Sequence, residues 1–171
     1  VTCIAPTKTF NLAGLQTAAV YAENSILHHR MWRQLNTDEV AEPNAFAIQA
    51  TIAAFQYGEE WLDELREYVE KNKQYVTEFL QEKIPLIHPV AGDATYLMWL
   101  DCRKITESGR QFVKFIRKTS GLYVSGGNQY GRGGEGFLRV NVATSKLVVE
   151  DGMQRLYESV DAWLKEEKIS K

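Results

Sequence analysis

A single lysine near the start of the chain, Lys8, lies between two threonines and two positions after Pro6. A neutral lysine amine attacks carbonyl carbon, and an apolar setting favours the neutral form because burial removes water from the ammonium. The residues that follow Lys8 are small or apolar, which indicates such a setting. Taken alone, however, a lysine in a turn is more often a solvated surface residue. Lys8 is therefore a candidate for carbonyl chemistry, and the interpretation depends on whether the surrounding sequence supports it.

A second candidate is Arg139, which lies within an apolar, β-prone segment. The planar guanidinium of arginine binds a carboxylate through two parallel hydrogen bonds. A charged residue on the exposed side of a strand is the simpler interpretation when Arg139 is considered alone.

Other familiar motifs do not meet their structural requirements. Residues 131–136 match GxGxxG, but a dinucleotide site needs a strand before this motif and a helix after it. Here a strand pattern follows, which predicts a flexible loop between strands. His28 and His29 point to different sides of a helix and His88 is isolated, so no metal site is expected.

Composition restricts the possible partners. The chain has 171 residues, a formal net charge of −2 and 44% hydrophobic residues, as expected of an ordinary globular domain. This charge provides no sequence-wide basic field for nucleic acid or acidic membranes, and no apolar run approaches the roughly 20 residues that span a bilayer. Cys3 and Cys102 fit neither a disulfide framework nor a CxxC motif, which favours a reducing, cytoplasmic location.

Hydrophobic periodicity predicts the elements that must position these residues. We expect strands at 1–5, 15–21, 96–101, 122–124 and 137–142. We expect helices at 24–34, capped by Asn24, at 45–57, at 59–83 and at 108–120, ended by Gly121, and a last one capped by Thr144 or Ser145. The apolar stripe of helix 59–83 is expected to pack in the core. Pro43 is expected near the first helical position of the second helix, and Gly58 is expected to interrupt it. From Leu86 the order strand, strand, helix, strand, strand, helix predicts an α/β or α+β layer arrangement.

Four longer segments of the sequence are more specific than these single residues. They are APTKTFNLAGLQ (5–16), EPNAFA with YGEEWLDEL (42–47 and 57–65), YLMWLD (96–101) and GEGFLRVNVA (134–143). Together they resemble the fold-type I pyridoxal-phosphate (PLP) enzymes of the class I/II aminotransferase family, and in particular its MalY/PatB-type cystathionine β-lyases. Because the segments cover nearly the whole chain in the family's order, the resemblance is specific.

The resemblance implies a role for each candidate residue. Lys8 would hold PLP as a Schiff base and move the Cα proton of the substrate, while Thr7 would contact the cofactor phosphate. Arg139 would bind the α-carboxylate of an amino-acid substrate. The implied fold is the C-terminal portion of the PLP-dependent transferase fold, in which a long interdomain helix packs on a small sheet. The implied domains are a large-domain remnant (1–42), interdomain helices (43–85) and a small domain (86–171).

The implied activity is cleavage of a C–S bond, which releases pyruvate, ammonia and a thiol. Ala5 and Gln16 occupy places near which the usual aminotransferase motif has a phosphate-binding serine and arginine, and this favours the lyase subgroup. An aminotransferase is the first alternative, and a non-catalytic binding or regulatory domain is the second. The chain begins within a predicted strand, so we expect a fragment, inactive and poor at binding PLP by itself. A homodimer is also expected, without nucleic-acid or membrane partners.

Overall fold

The computed structural model describes residues 1–169, and the side chains of residues 1–166. The chain forms two compact units. Unit 1 is Val1–Arg66, and unit 2 begins at Glu67. The boundary falls inside one long helix, Glu59–Lys83. The proposed functional divisions after residues 42 and 85 remain a prediction.

Unit 1 begins with a small antiparallel sheet. Strand β1 (Thr2–Ile4) pairs with β2 (Ala19–Tyr21), and a short 3-10 turn at Ala13–Leu15 lies between them. The sequence predicted a strand over 15–21, but only its last three residues are extended. Gln16 adopts a left-handed conformation (φ 49°) directly after the 3-10 turn, which prevents the strand from starting earlier.

Two helices follow in unit 1. Helix α1 (Ser25–Thr37) begins at the predicted cap, since the Asn24 side chain accepts hydrogen bonds from the N–H groups of Ile26 and Leu27. Helix α2 (Ala47–Tyr57) starts later than predicted, so Pro43 is not a helical residue.

The late start of α2 has a local cause. The Asn44 side chain accepts a hydrogen bond from the Phe46 N–H and donates one to the Leu15 carbonyl oxygen. This turn occupies the residues that would otherwise form the first helical turn.

Gly58 separates α2 from the long helix α3 (Glu59–Lys83), as predicted. A Cβ at this position would collide with the Ala54 carbonyl oxygen and lie 2.7 Å from a ring carbon of Phe10. The apolar stripe of α3 becomes core only in its second half, where Val76 and Leu80 are fully buried. Trp61 and Tyr68, in its first half, remain exposed, which corrects the expectation that the whole stripe packs in a core.

The elements of unit 2 after α3 are β3 (His88–Pro89), β4 (Leu97–Asp101), α4 (Gly109–Ser120), β5 (Ser125–Gly126), β6 (Phe137–Asn141) and α5 (Lys146–Ile169). The strands form an antiparallel sheet of order β3-β4-β6-β5. The predicted order of elements from residue 86 is confirmed. The strand predicted at 122–124 begins later, because pairing with β6 starts only at Ser125, opposite Arg139.

Helices cover one face of this sheet. Leu100 and Leu138 are fully buried and belong to the same core as Phe112 of α4 and Leu156 of α5. Along β6, buried residues alternate with half-buried ones, as expected for a sheet with one covered face. The second half of α3 also packs in this core, and its buried Asn72 donates hydrogen bonds to two backbone carbonyl oxygens just after β6. The predicted α+β small domain, with a long helix packed on a small sheet, is confirmed.

Candidate active site

Lys8 lies on a turn that directly follows β1. The turn is closed by a hydrogen bond of 2.9 Å from the Phe10 N–H to the carbonyl oxygen of Pro6, and the Pro6 side chain is fully buried. The Lys8 side chain is exposed and makes no hydrogen bond or ion pair with the described part of the chain. Unit 1 therefore does not by itself create the apolar setting that the sequence suggested. It presents an accessible amine on a defined turn.

Aromatic contacts hold this turn against the helices of unit 1. The ring of Phe10 meets Phe55 edge-on at 5.3 Å between centroids and stacks on Trp61 at 6.2 Å. The same ring lies against Gly58, at the junction of α2 and α3. Because the residue two positions after Lys8 is fixed in this way, the backbone that carries the amine is positioned by packing.

Thr7 precedes Lys8 on the same turn and is half-buried. Its hydroxyl has no recorded hydrogen-bond partner among residues 1–169. A hydroxyl donates readily to a phosphate oxygen. Its location is compatible with the predicted phosphate contact, which stays a prediction.

Arg139 lies on β6, between Trp99 of β4 and Ser125 of β5. It is half-buried and belongs to the sheet face that the helices leave open. The guanidinium carbon is 4.3 Å from the ring centroid of Tyr130, a cation–π distance. No carboxylate of the described residues pairs with Arg139, so the N–H groups of the guanidinium are free to bind an anion.

An aromatic cluster lies beside Arg139 and was not identified from the sequence. Trp99 stacks on Phe137 at 5.6 Å and meets Tyr130 edge-on at 5.7 Å. Part of this cluster could have been predicted, because side chains alternate between the two faces of a strand. Trp99, Phe137 and Arg139 occupy positions on the same side of the sheet. Tyr130 comes from the loop between the strands and has no such signal.

The glycine-rich loop brings Tyr130 to this position. Two loop segments touch so closely that a Cβ on Gly134 would collide with the Gly127 carbonyl oxygen. A Cβ on Gly127 would also lie 3.0 Å from the Trp99 ring. Strand β6 begins immediately after the GxGxxG match, which confirms that this motif is a loop between strands rather than a dinucleotide-binding turn.

Lys8 and Arg139 belong to different units, so the structure gives each its own surroundings. Within the described residues, no group of three or more His, Cys, Asp or Glu side chains is arranged to hold a metal ion. His88 instead has its Nε2 atom 3.0 Å from the Lys104 ammonium. None of the helices over residues 1–169 combines the length and apolarity needed to cross a membrane.

Comparison with solved structures defines the fold. The chain is similar to a PLP-bound C–S lyase from Staphylococcus hominis, with a TM-score of 0.81 and 30% identity over 92% of this chain and 38% of that one. Two antiparallel sheets, the long helix α3 and the helix-covered small domain thus represent a C-terminal portion of the PLP-dependent transferase fold. The family model for class I and II aminotransferases matches residues 2–156. The chain therefore belongs to the class I and II aminotransferase family.

Curated relatives point to one subgroup. The chain is 37% identical to cystathionine beta-lyase PatB of Bacillus subtilis, over 91% of this chain and 40% of that protein. It is 30% identical to protein MalY of Escherichia coli, with the same two coverages. The chain thus spans about two fifths of the length of these relatives, so the activity of a whole protein is a matter for proposal.

Proposed function

We propose that this chain is the lysine- and arginine-bearing part of a PLP-dependent C–S β-lyase. Its substrate would be L-cystathionine or a related cysteine S-conjugate, and its products pyruvate, ammonia and a thiol. The observation that carries this proposal is the Arg139 guanidinium, which lies on the open sheet face without a carboxylate partner among the described residues. The cystathionine β-lyase and C–S lyase relatives support the reaction class.

The residues of unit 1 fit the proposed cofactor in part. The aldehyde of PLP needs an accessible amine, and Lys8 offers one that is exposed and unpaired in the described structure. Thr7 offers a hydroxyl to the phosphate one residue away. When bound, PLP supplies the electron sink that stabilises negative charge at the substrate Cα. We further propose that activity requires the additional length present in the relatives, and that residues 1–171 alone are inactive.

The proposed roles of the two main residues follow from their chemistry. Arg139 binds the α-carboxylate through two N–H···O hydrogen bonds and so orients the substrate. The Lys8 amine takes the proton from Cα and holds it on Nζ. The Cα electron pair forms the Cα=Cβ double bond as the Cβ–S bond breaks, and the pair of that bond leaves with the sulfur as a thiolate. The remaining three-carbon enamine takes a proton at Cβ to become an imine, and hydrolysis of its C=N bond gives pyruvate and ammonia.

An aminotransferase is the second candidate, because the family as a whole bears that description. Ala5 and Gln16 favour the lyase, since the usual aminotransferase has phosphate-binding side chains near these places. Product analysis separates the two reactions. Pyruvate and ammonia formed without any 2-oxo acid support the lyase, whereas a requirement for a 2-oxo acid supports transamination.

The central experiment is borohydride reduction of the full-length protein after addition of PLP, followed by peptide mass mapping. We expect the reduced cofactor mass on Lys8, its loss in Lys8→Ala, and its retention in Lys71→Ala, a matched change at an exposed lysine on α3. A folded full-length protein that carries no label on Lys8 would contradict the proposal and leave a non-catalytic binding or regulatory role.

Assembly and location belong to the same proposal. We expect a cytoplasmic homodimer that acts on a small amino-acid substrate, as the family resemblance implies. The two-stranded sheet of unit 1 has exposed residues along most of β1 and β2. Exposed strand edges pair readily with another chain. Light scattering on the purified chain tests the association, and a monomer at all concentrations would argue against it.

A further inference from the structure

Unit 2 contains a cavity that the proposed lyase chemistry does not use. Its volume is about 420 Å³. One side is formed by helix α4, and the other by β5 with its flanking residues; we call it the α4–β5 cavity. Its lining includes the side chains of Arg110, Lys114, Arg117 and Tyr123.

The α4 side of this cavity is strongly basic. Arg110, Lys114 and Arg117 are exposed, and no acidic residue lines the cavity or occurs in α4. None of the three has a carboxylate partner among the described residues. Elsewhere in unit 2, comparable exposed cations do pair with carboxylates, as Arg103 does with Asp101 and Arg155 with Asp151. The three unpaired charges make this side of the cavity attractive to anions.

Helix stability does not explain this row of charges. Arg117 lies in the last turn of α4, where a cation interacts favourably with the helix dipole. Arg110 lies in the first turn, where the dipole disfavours a cation and where α4 has no acidic residue. The seven residue steps from Arg110 to Arg117 rise by roughly 10 Å along the helix, which is long enough for more than one anionic group.

The opposite side offers a group that an inorganic anion would not use. Tyr123 is 75% exposed, and the Arg117 guanidinium lies over its ring at 5.0 Å. An exposed ring of this kind gives a flat surface for stacking.

We propose that the α4–β5 cavity binds an organic polyphosphate, specifically a nucleoside polyphosphate. Its phosphates lie along Arg110, Lys114 and Arg117, and its base stacks near Tyr123. The cavity volume lies within the range of small-molecule sites, about 300 to 1,000 Å³. This site is independent of Lys8 and Arg139, so it can be tested whatever the outcome of the cofactor labelling.

The test is calorimetric titration of the 171-residue chain with ATP, without divalent metal and at low ionic strength. We expect saturable binding of one ATP per chain. The double variant Lys114→Gln, Arg117→Gln should bind about tenfold more weakly or worse, because charge-assisted hydrogen bonds are lost. The matched control is Lys118→Gln, which removes a neighbouring charge of α4 that does not line the cavity. It should retain the wild-type affinity.

Two further titrations separate the contribution of the nucleoside to binding from that of the phosphates. Inorganic triphosphate should bind more weakly than ATP, and Tyr123→Leu should weaken ATP binding while leaving inorganic triphosphate binding unchanged. Absence of saturable ATP binding overturns the proposal. So does an equal loss in Lys118→Gln, which indicates non-specific attraction, and so does inorganic triphosphate binding as tightly as ATP. Thermal melts verify that each variant is folded.

Discussion

At the scale of single residues, the two cysteines have opposite environments. Cys102 is fully buried, and burial raises the pKa of its thiol to about 12. Its thiol therefore stays protonated and shielded in the folded chain at pH 8, and only the thiolate reacts readily. Cys3 is exposed on β1. We predict that a thiol reagent labels Cys3 rapidly and Cys102 only after denaturation, as measured by mass spectrometry over time.

A control variant sharpens this prediction. Cys3→Ser should contain no rapidly labelled thiol in the folded state but one in denaturant. Reaction of Cys102 in the native chain at the rate of Cys3 would show that the core of unit 2 opens easily, contrary to the burial observed.

The Asp101 carboxylate at the end of β4 couples folding to pH. It accepts hydrogen bonds from the Arg103 side chain at 2.6 and 2.9 Å and from the Arg103 N–H at 3.0 Å. The side-chain hydrogen bond from Arg103 is the main cause that lowers the pKa of Asp101 from 3.8 to about 2. Because the folded pKa is the lower one, this interaction stabilises the fold above pH 3.8 and is lost as the pH falls through about 2.

The expected result concerns the free energy of unfolding of unit 2. It should fall more steeply in the wild type than in Asp101→Asn as the pH is lowered across this window. Urea titrations followed by tryptophan fluorescence measure the difference. Parallel pH dependences for the two proteins would mean that the Arg103 contact does not persist in solution.

Tyr130 is expected to position Arg139 for substrate binding, if the proposed function holds. Its ring lies against the guanidinium at 4.3 Å, and such contacts contribute about 0.5 to 2 kcal/mol. Tyr130→Phe retains the ring and should leave KM nearly unchanged in the full-length enzyme. Tyr130→Ala should raise KM several-fold with a smaller effect on kcat. Equal effects of both variants would argue against a cation–π role.

At the scale of elements, two adjacent glycines of the loop before β6 have different surroundings. A Cβ at Gly134 would collide with the Gly127 backbone, whereas a Cβ at Gly133 meets nothing within 4 Å. We predict that Gly134→Ala destabilises unit 2 or displaces the loop, by an amount typical of forced overpacking, about 1 to 3 kcal/mol. Gly133→Ala should be nearly neutral. Urea unfolding measures both, and Trp99 reports on the loop because its ring lies beside Gly127.

The outcome at these two positions also tests the interpretation of the GxGxxG match. If Gly133→Ala were the more harmful change, close packing of loop segments would not be the reason for glycine here. Equal, small effects would show that the loop relaxes easily.

At the scale of the whole molecule, the two units bury very different amounts of apolar side chain. Unit 2 has a continuous core built from α3, α4, α5 and the sheet. In unit 1 the buried hydrophobic residues are Ala22 and Ala47, together with Pro6. Since burial of apolar surface is the main stabilising contribution, local opening costs less in unit 1.

Hydrogen exchange should reveal this asymmetry in the isolated chain. We predict slow amide exchange in β4, β6 and the buried side of α5, and fast exchange in β1 and β2. Mass spectrometry of deuterium uptake by peptide measures it. Protection of β1 and β2 equal to that of β4 and β6 would show that unit 1 gains stability from contacts beyond its own small core.

Sequence alone determined those features whose causes are local. The Asn24 cap of α1, the Gly58 break, the Ser108 cap of α4 and the left-handed Gly121 that ends it depend on a few adjacent residues. The alternating apolar pattern placed β4 and β6. The resemblance of four segments indicated the family and made Lys8, Thr7 and Arg139 candidates, whose roles stay predictions. These signals survive because short-range sterics and hydrogen bonding act in any tertiary context.

The tertiary structure decided the features that depend on distant residues. The start of α2 is set by Asn44 reaching the Leu15 carbonyl, 29 residues away in sequence. The exposure of Lys8 and the contact of Tyr130 with Arg139 likewise depend on how separate segments meet. The spacing of the cations within α4 can be read from the sequence, but the cavity that they line cannot. Burial and side-chain contact arise from packing of the whole chain, which no local pattern specifies.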